Sequence, residues 1–211
     1  MTDEDGFGAS DIRSLANVSR ETLERIECVI ETLKEWSTQL NLIGKNEWRH
    51  IWQRHVWDSA QLLDHVSRDA NVVDLGSGAG FPGLVMASAL TAEGSGKVSL
   101  IEKSPKKATF LRAAIKAADL RADVHACRIE EAPQIEAKIV TARAFAPLPR
   151  LMVSASHWLE KGANAYLHKG QKWKEELTAA SETWKFSSEA IPSRSGGSGV
   201  ILKVWGVQRV S

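Results

Sequence analysis

Cysteine is scarce in this 211-residue chain. Cys28 and Cys127 have neither metal-ligand spacing nor the pattern of a disulfide framework. They read as reduced core thiols of a cytoplasmic protein. No apolar run approaches the length of a membrane span. The start, Met1 to Ser10, is acidic and contains glycine, unlike a signal peptide. Charge of one sign is also missing. Lys and Arg number 27 against 26 Asp and Glu, so any nucleic-acid site must be a local patch. There is no internal repeat, no low-complexity tract, no obvious nucleophile or triad, and no metal-binding cluster. These absences count against a hydrolase and against a metalloenzyme.

Tryptophan, by contrast, is abundant at eight residues. Trp48, Trp52 and Trp57 crowd one region, and Trp48 and Trp52 stand four apart, on one helical face. Core packing is the plain reading and a base-stacking platform the sharper one.

Periodicity organises the rest. Ser19 can cap a helix to about Leu40, with Leu23, Ile26, Ile30 and Leu33 on one face. A second helix is expected over about 47–66. From residue 71 strands and helices alternate. Strands are expected at 71–75, 97–101, 122–127, 137–142 and 163–168, with helices at 82–90, 104–118, 147–159 and 172–180. The end reads as a hairpin, 183–191 and 200–207, joined by the Gly/Ser loop 192–199. The expected segments are a flexible 1–18, a helical extension 19–69 and a single compact domain 70–211. Alternation implies an α/β fold with a mostly parallel sheet, whose ligands bind beyond the carboxyl ends of the strands.

The first strand runs into Asp74-Leu75-Gly76-Ser77-Gly78-Ala79-Gly80-Phe81-Pro82-Gly83. A dinucleotide fingerprint needs G-x-G-x-x-G, but Phe81 stands where the third glycine belongs. Asp74 just before the turn would oppose a pyrophosphate and suit a cationic sulfonium or ammonium. Glu102 ends the second strand, where an acid can accept from both ribose hydroxyls. Together these point to S-adenosylmethionine, with Asp74, Gly76, Gly78, Gly80, Phe81 and Glu102 as cofactor-binding candidates.

The ordered motifs around the turn are more specific. Asn41-Leu42, Arg54-His55-x-x-Asp58-Ser59, the glycine turn, Glu102-x-x-x-Lys106-Lys107-x-x-Phe110-Leu111, Arg128-x-Glu130-Glu131, Arg143-Ala144-Phe145-Ala146 and Lys169-Gly170 follow one another over roughly 33–176. In this the chain resembles the RsmG/GidB family of ribosomal small-subunit methyltransferases. The resemblance implies a class I S-adenosylmethionine-dependent methyltransferase fold. That fold is Rossmann-like, with a seven-stranded, mostly parallel sheet, an antiparallel C-terminal strand and an N-terminal helical extension. It implies methyl transfer to N7 of guanine 527 in 16S ribosomal RNA, with 16S RNA or the small ribosomal subunit as partner. Also expected are a cytoplasmic location, a monomer, no membrane and no metal. Cofactor contacts carried over by motif are Gly76, Phe81, Ile129, Glu130 and Arg143. His168, where an apolar residue is commoner, and Trp57 depart from the family pattern.

Guanine N7 has a free lone pair and no proton to lose, so its methylation needs no general base. Arg143 and Lys169 are the candidates on the catalytic side. Arg143 would fork onto a carboxylate or phosphate, and Lys169 would meet the RNA backbone. Phe145 reads as core or as a stacking partner for an extruded base. His55 and Asp58 read as a structural hydrogen-bonded pair or as an RNA or active-site contact. Lys103, Lys106, Lys107 and Arg112 read as a solvated helix face or an RNA contact. Other readings are a class I methyltransferase for another RNA, a small molecule or a protein, a nicotinamide dehydrogenase, and a non-enzymatic binding module.

Overall fold

A strand buried on both faces carries a near-continuous apolar run, and Val72–Leu75 is such a run. In the computed structural model, which describes residues 2–210, this is β1, near the middle of the sheet. Met1 and Ser211, the outer limits of the expected segments, lie outside the described residues. The other strands are β2 Val98–Ile101, β3 Ala122–His125, β4 Ile139–Arg143, β5 Asn164–Lys169, β6 Trp184–Pro192 and β7 Val200–Arg209. Their order is β3-β2-β1-β4-β5-β7-β6. Strands β1 to β5 pair in parallel, and β7 runs antiparallel to both β5 and β6. The expected topology is therefore the observed one.

The helices are α1 Ala9–Ala16, α2 Arg20–Ser37, α3 Asp58–Ala60, α4 Gly83–Glu93, α5 Pro105–Ala117, α6 Leu148–Leu159 and α7 Trp173–Ser181. Ser19 caps α2 by accepting from the Thr22 amide at 3.1 Å. The face predicted for this helix is buried: Leu23, Ile26, Ile30 and Leu33 pack in one core with Leu84 of α4 and Phe110 of α5. The helical extension therefore shares its core with one face of the sheet. A second core lies on the other face, between the sheet and α6.

Two stretches differ from expectation. The segment expected to be a flexible start contains α1, with Ile12 and Ala16 buried. The stretch expected as one helix over 47–66 is instead a 3₁₀ turn (Glu47–His50), a π-helical turn (Trp52–Trp57), α3 and a second 3₁₀ turn (Gln61–Asp64). The two differences have one cause. The buried Asp3 carboxylate accepts from the Trp52 and Gln53 amides at 3.0 and 2.9 Å, and Arg49 O accepts from the Glu4 amide. These are groups that an uninterrupted α-helix would use itself. Trp52 and Trp57 are buried and Trp48 packs against the same core, so the tryptophans here serve packing.

Candidate functional site

The loops that follow β1, β2, β3 and β4 converge on one cleft of about 480 Å³. It lies at the carboxyl ends of the strands where the order reverses at β1, the usual ligand position in such sheets. Gly76, Ser77, Gly78, Ala79 and Phe81 line it, with Glu102, Ile129, Glu130 and Arg143.

Two glycines in the turn are required for different reasons. Gly76 has φ +69°, and a Cβ there would stand 2.6 Å from Phe145 Cδ2. The Phe145 ring therefore closes over the turn, in the position open to stacking. Gly80 has φ +92°, and a Cβ there would stand 2.3 Å from Leu84 Cδ1. Gly80 thus lets the turn pack against α4 and is not part of the cleft wall.

Glu102 is 7% exposed, and backbone amides hold it at both oxygens. Oε2 accepts from Gly78 at 2.9 Å and Oε1 from Ser104 at 2.7 Å. Each oxygen keeps a second lone pair that these amides do not use. Beyond β3, Ile129 presents an apolar side chain to the cleft. Glu130 beside it is exposed and accepts from Ser154 Oγ at 3.0 Å. Its carboxyl is held below the ordinary range by its own backbone amide and by Ser154.

Asp74 does not line the cleft. Side chains alternate along a strand, so Val73 and Leu75 face the α6 core while Val72 and Asp74 face α4. The Asp74 carboxylate is 1% exposed, under the N-terminal turn of α4, where a Cβ on Gly83 would come within 2.7 Å of Oδ2. Oδ1 accepts from Thr141 Oγ1 at 2.8 Å. Burial raises its pKa to about 6, and the Thr141 hydrogen bond opposes the rise. Its position supports the turn from below, and it is not part of the cleft wall.

This burial predicts a pH dependence of stability. Below about pH 4 Asp74 is protonated both folded and unfolded and contributes nothing. Between about pH 4 and 6 only the unfolded chain loses the proton, so stability falls as pH rises. Above about pH 6 the cost is on the order of 2–3 kcal/mol. Asp74→Asn keeps an acceptor for Thr141 and removes that cost. Its stability advantage over the wild type should grow by this amount from about pH 4 to pH 7 in denaturant titrations. A pH-independent difference would refute the burial of a titrating carboxylate here.

Arg143 and Lys169 sit near each other but are engaged differently. The Arg143 guanidinium is mostly buried, with Nε 3.5 Å from Asp58 Oδ2. Its Nη1 is buried without a hydrogen bond among the described residues. Burial lowers its pKa, against the pull of Asp58 and Glu47. Lys169 is only 7% exposed at the side chain. Its Nζ donates to Ala146 O at 2.7 Å and to Glu176 Oε2 at 2.8 Å. The cation expected to meet RNA therefore ties down the loop after β4, because a carboxylate from α7 reaches it first.

The side chains of His55 and Asp58 are not hydrogen-bonded to each other; the link between the two residues is the Asp58 amide donating to the His55 carbonyl. The π turn between them changes the angular spacing that three residues give in an α-helix. His55 packs on Phe81, ring centroids 5.2 Å apart, and lies 3.6 Å from Glu47. Burial, aided by the Arg143 cation, lowers its pKa to about 3, so the ring is neutral. Asp58 Oδ1 accepts from Ser193 Oγ and Ser195 Oγ at 2.9 and 2.8 Å, in the β6–β7 loop. His168 Nε2 donates to the Asp58 carbonyl at 2.8 Å. The departure from the family pattern at His168 thus has a structural partner.

Glu47, Lys103, Lys107, Cys127 and Arg150 also line the cleft. Glu47 and Arg150 carried no sequence signal. Cys127, expected in the core, is half-buried at the cleft, and burial raises its thiol pKa. It is therefore a poor nucleophile. Among the described residues there is no group of three His, Cys, Asp or Glu side chains that could hold a metal ion. No described helix is long and apolar enough to cross a membrane.

Residues 22–197 match the family model GidB, described as rRNA small subunit methyltransferase G. The Ribosomal RNA small subunit methyltransferase G of Hyphomonas neptunium is 58% identical, covering 92% of each chain. That of Rhodospirillum rubrum is 42% identical over 91% of this chain and 94% of its own. Among solved structures, an O-methyltransferase from Bacillus cereus in complex with SAH aligns with TM-score 0.56 at 14% identity, over 85% of this chain and 90% of its own. Aeropyrum pernix fibrillarin with natively bound S-adenosyl-L-methionine aligns with TM-score 0.52 at 10% identity, over 66% and 68%. These structural likenesses concern the fold alone. The sequence matches go further: the chain belongs to the GidB family, rRNA small subunit methyltransferase G.

Proposed function

We propose that this protein transfers a methyl group from S-adenosylmethionine to N7 of a guanine, position 527, in 16S ribosomal RNA. The observation that carries the donor half is Glu102, held at both carboxylate oxygens by backbone amides at the edge of a side-chain-free turn. Such a carboxylate is preorganised to accept from a ribose diol. The apolar Ile129 beside it suits one face of an adenine. Family membership carries the RNA half.

S-adenosylmethionine supplies an electrophilic methyl, and the protein's part is alignment. Well-oriented reactants can gain roughly 7–11 kcal/mol over free encounter. Gly76 and Gly78 allow close approach, Glu102 fixes the nucleoside end, and Arg143 offers its free Nη1 to an anionic group. His55, a weak base with its pKa lowered to about 3, and the high-pKa Cys127 are consistent with a reaction that needs neither base nor nucleophile. We take the substrate to be 16S RNA or the small ribosomal subunit, and the enzyme to act as a cytoplasmic monomer. The test is to map N7-methylguanosine in 16S RNA from cells with and without the protein. The mark at position 527 should vanish with the gene and return with it. Its persistence would overturn this reading.

A further inference from the structure

Residues 2–8 fold into a small plug. Thr2 bridges Gly8, the Asp3 amide donates to Phe7 O at 2.7 Å, and the Gly6 amide donates to Asp3 O at 3.1 Å. Phe7 packs against the core that the helical extension shares with the sheet. The Gly8 amide donates to Asp11 Oδ2 of α1 at 2.9 Å. The plug is thus closed on itself and anchored to the helix that follows. Asp3 within it is only 5% exposed.

A carboxylate taken out of water must be hydrogen-bonded. Asp3 finds its donors in another part of the chain. Trp52 donates to Oδ1 and Gln53 to Oδ2, at 3.0 and 2.9 Å. The Glu4 amide donates to Arg49 O at 3.1 Å. In a continuous α-helix the Trp52 and Gln53 amides would reach back to the carbonyls of Trp48 and Arg49. The plug therefore works on both sides of the break, supplying two acceptors and occupying one of the carbonyls. The chain beyond winds into the π turn Trp52–Trp57. A π turn rotates each later side chain away from its α-helical position.

His55 is the fourth residue of that turn. Its ring lies 5.2 Å from the Phe81 ring, and both residues line the donor cleft beside Gly76 and Gly78. Phe81 directly follows the glycine turn and is itself buried. His55 Nε2 is buried without a hydrogen bond among the described residues. The backbone beneath the ring and its packing on Phe81 therefore set where it sits. We infer that Asp3 is a positioning residue for methyl transfer: it fixes the π turn that seats His55 on Phe81, and so holds one wall of the cofactor cleft. The path runs from a carboxylate 49 residues before Trp52, through two amides and one ring, to the glycine turn. This rests on the methyl-donor reading of the cleft given above. Small displacements matter at such a distance, since a shift of about 1 Å in a site can cost on the order of 100-fold in rate.

Two variants test the inference. Asp3→Ala removes both acceptors. Asp3→Asn keeps the shape and one acceptor but turns an NH₂ toward the other amide. S-adenosylmethionine affinity would be measured by calorimetry and the His55 imidazole titration by NMR, well below the unfolding temperature of each variant. The expected result is about tenfold weaker cofactor binding in Asp3→Ala, and nearly as much in Asp3→Asn. The His55 titration should move to higher pH in both, because burial is what lowers it and the packing on Phe81 loosens. Asp3→Asn decides the matter if Asp3→Ala does not fold. A residue that only stabilises the fold would lower Tm and leave the folded variants with wild-type affinity and an unmoved His55. That outcome would overturn the positioning role alone. Failure of the wild type to bind S-adenosylmethionine would overturn the donor reading and the positioning role with it.

Discussion

Glu102→Ala should weaken S-adenosylmethionine binding by about 100-fold, close to 3 kcal/mol, in calorimetry. The wild-type carboxylate does two things at once. It accepts from Gly78 and Ser104, fixing the turn against the end of β2. It also keeps one lone pair on each oxygen toward the cleft. Alanine removes both. Glu102→Gln is the sharper probe. An amide has one oxygen and one NH₂, so one of the two backbone donors must then face another donor. Glutamine should therefore be nearly as damaging as alanine, although it keeps the shape. A carboxylate valued only for its bulk would tolerate glutamine. Wild-type affinity in Glu102→Gln, with the fold intact, would remove Glu102 from the cofactor site.

Much of the donor cleft was legible in the sequence because it is local. A buried strand, a glycine turn and a helix follow each other within a dozen or so residues, and the fold class follows from their repetition. Asp74 shows a limit that was avoidable. Strand alternation puts it on the side of Val72, under α4, and not at the cleft. Gly80 is similar: it belongs to the same motif but serves Leu84 packing. The other differences were not avoidable. The break in the 47–66 helix depends on Asp3, 49 residues away from Trp52. Lys169 meets Glu176 only because the chain turns from β5 into α7. The bonds from Ser193 and Ser195 to Asp58 span 135 and 137 residues. Local pattern carries no information on such pairs. The Gly/Ser loop reads as a plain hairpin connection in sequence, yet it closes one side of a second cavity beside the donor cleft.

Arg143→Ala should reduce kcat/KM on small subunits by on the order of 100- to 1,000-fold, the range expected for loss of a preorganised charged donor. Its guanidinium is shared by both cavities, and Nη1 is buried without a partner among the described residues. Burying an unmade donor costs stability unless a ligand completes it. Arg143→Lys should recover only part of the activity, because an ammonium cannot hold Asp58 and a second acceptor in one planar fork. Two histidines offer a readout that loss of packing alone would not give. The Arg143 cation lowers the pKa of both His55 and His168, after burial, while Asp58 pulls both upward. With the cation gone and Asp58 still in place, both imidazole titrations should move to higher pH, followed by NMR. The histidines are neutral when buried, so their cost appears as pH falls below the unfolded value near 6.5. Raising their folded pKa values makes the variant lose less stability in acid than the wild type does. Activity loss without any histidine shift would mean that Arg143 acts only on bound ligands. Histidine shifts with full activity would make it a structural cation and remove it from both pockets.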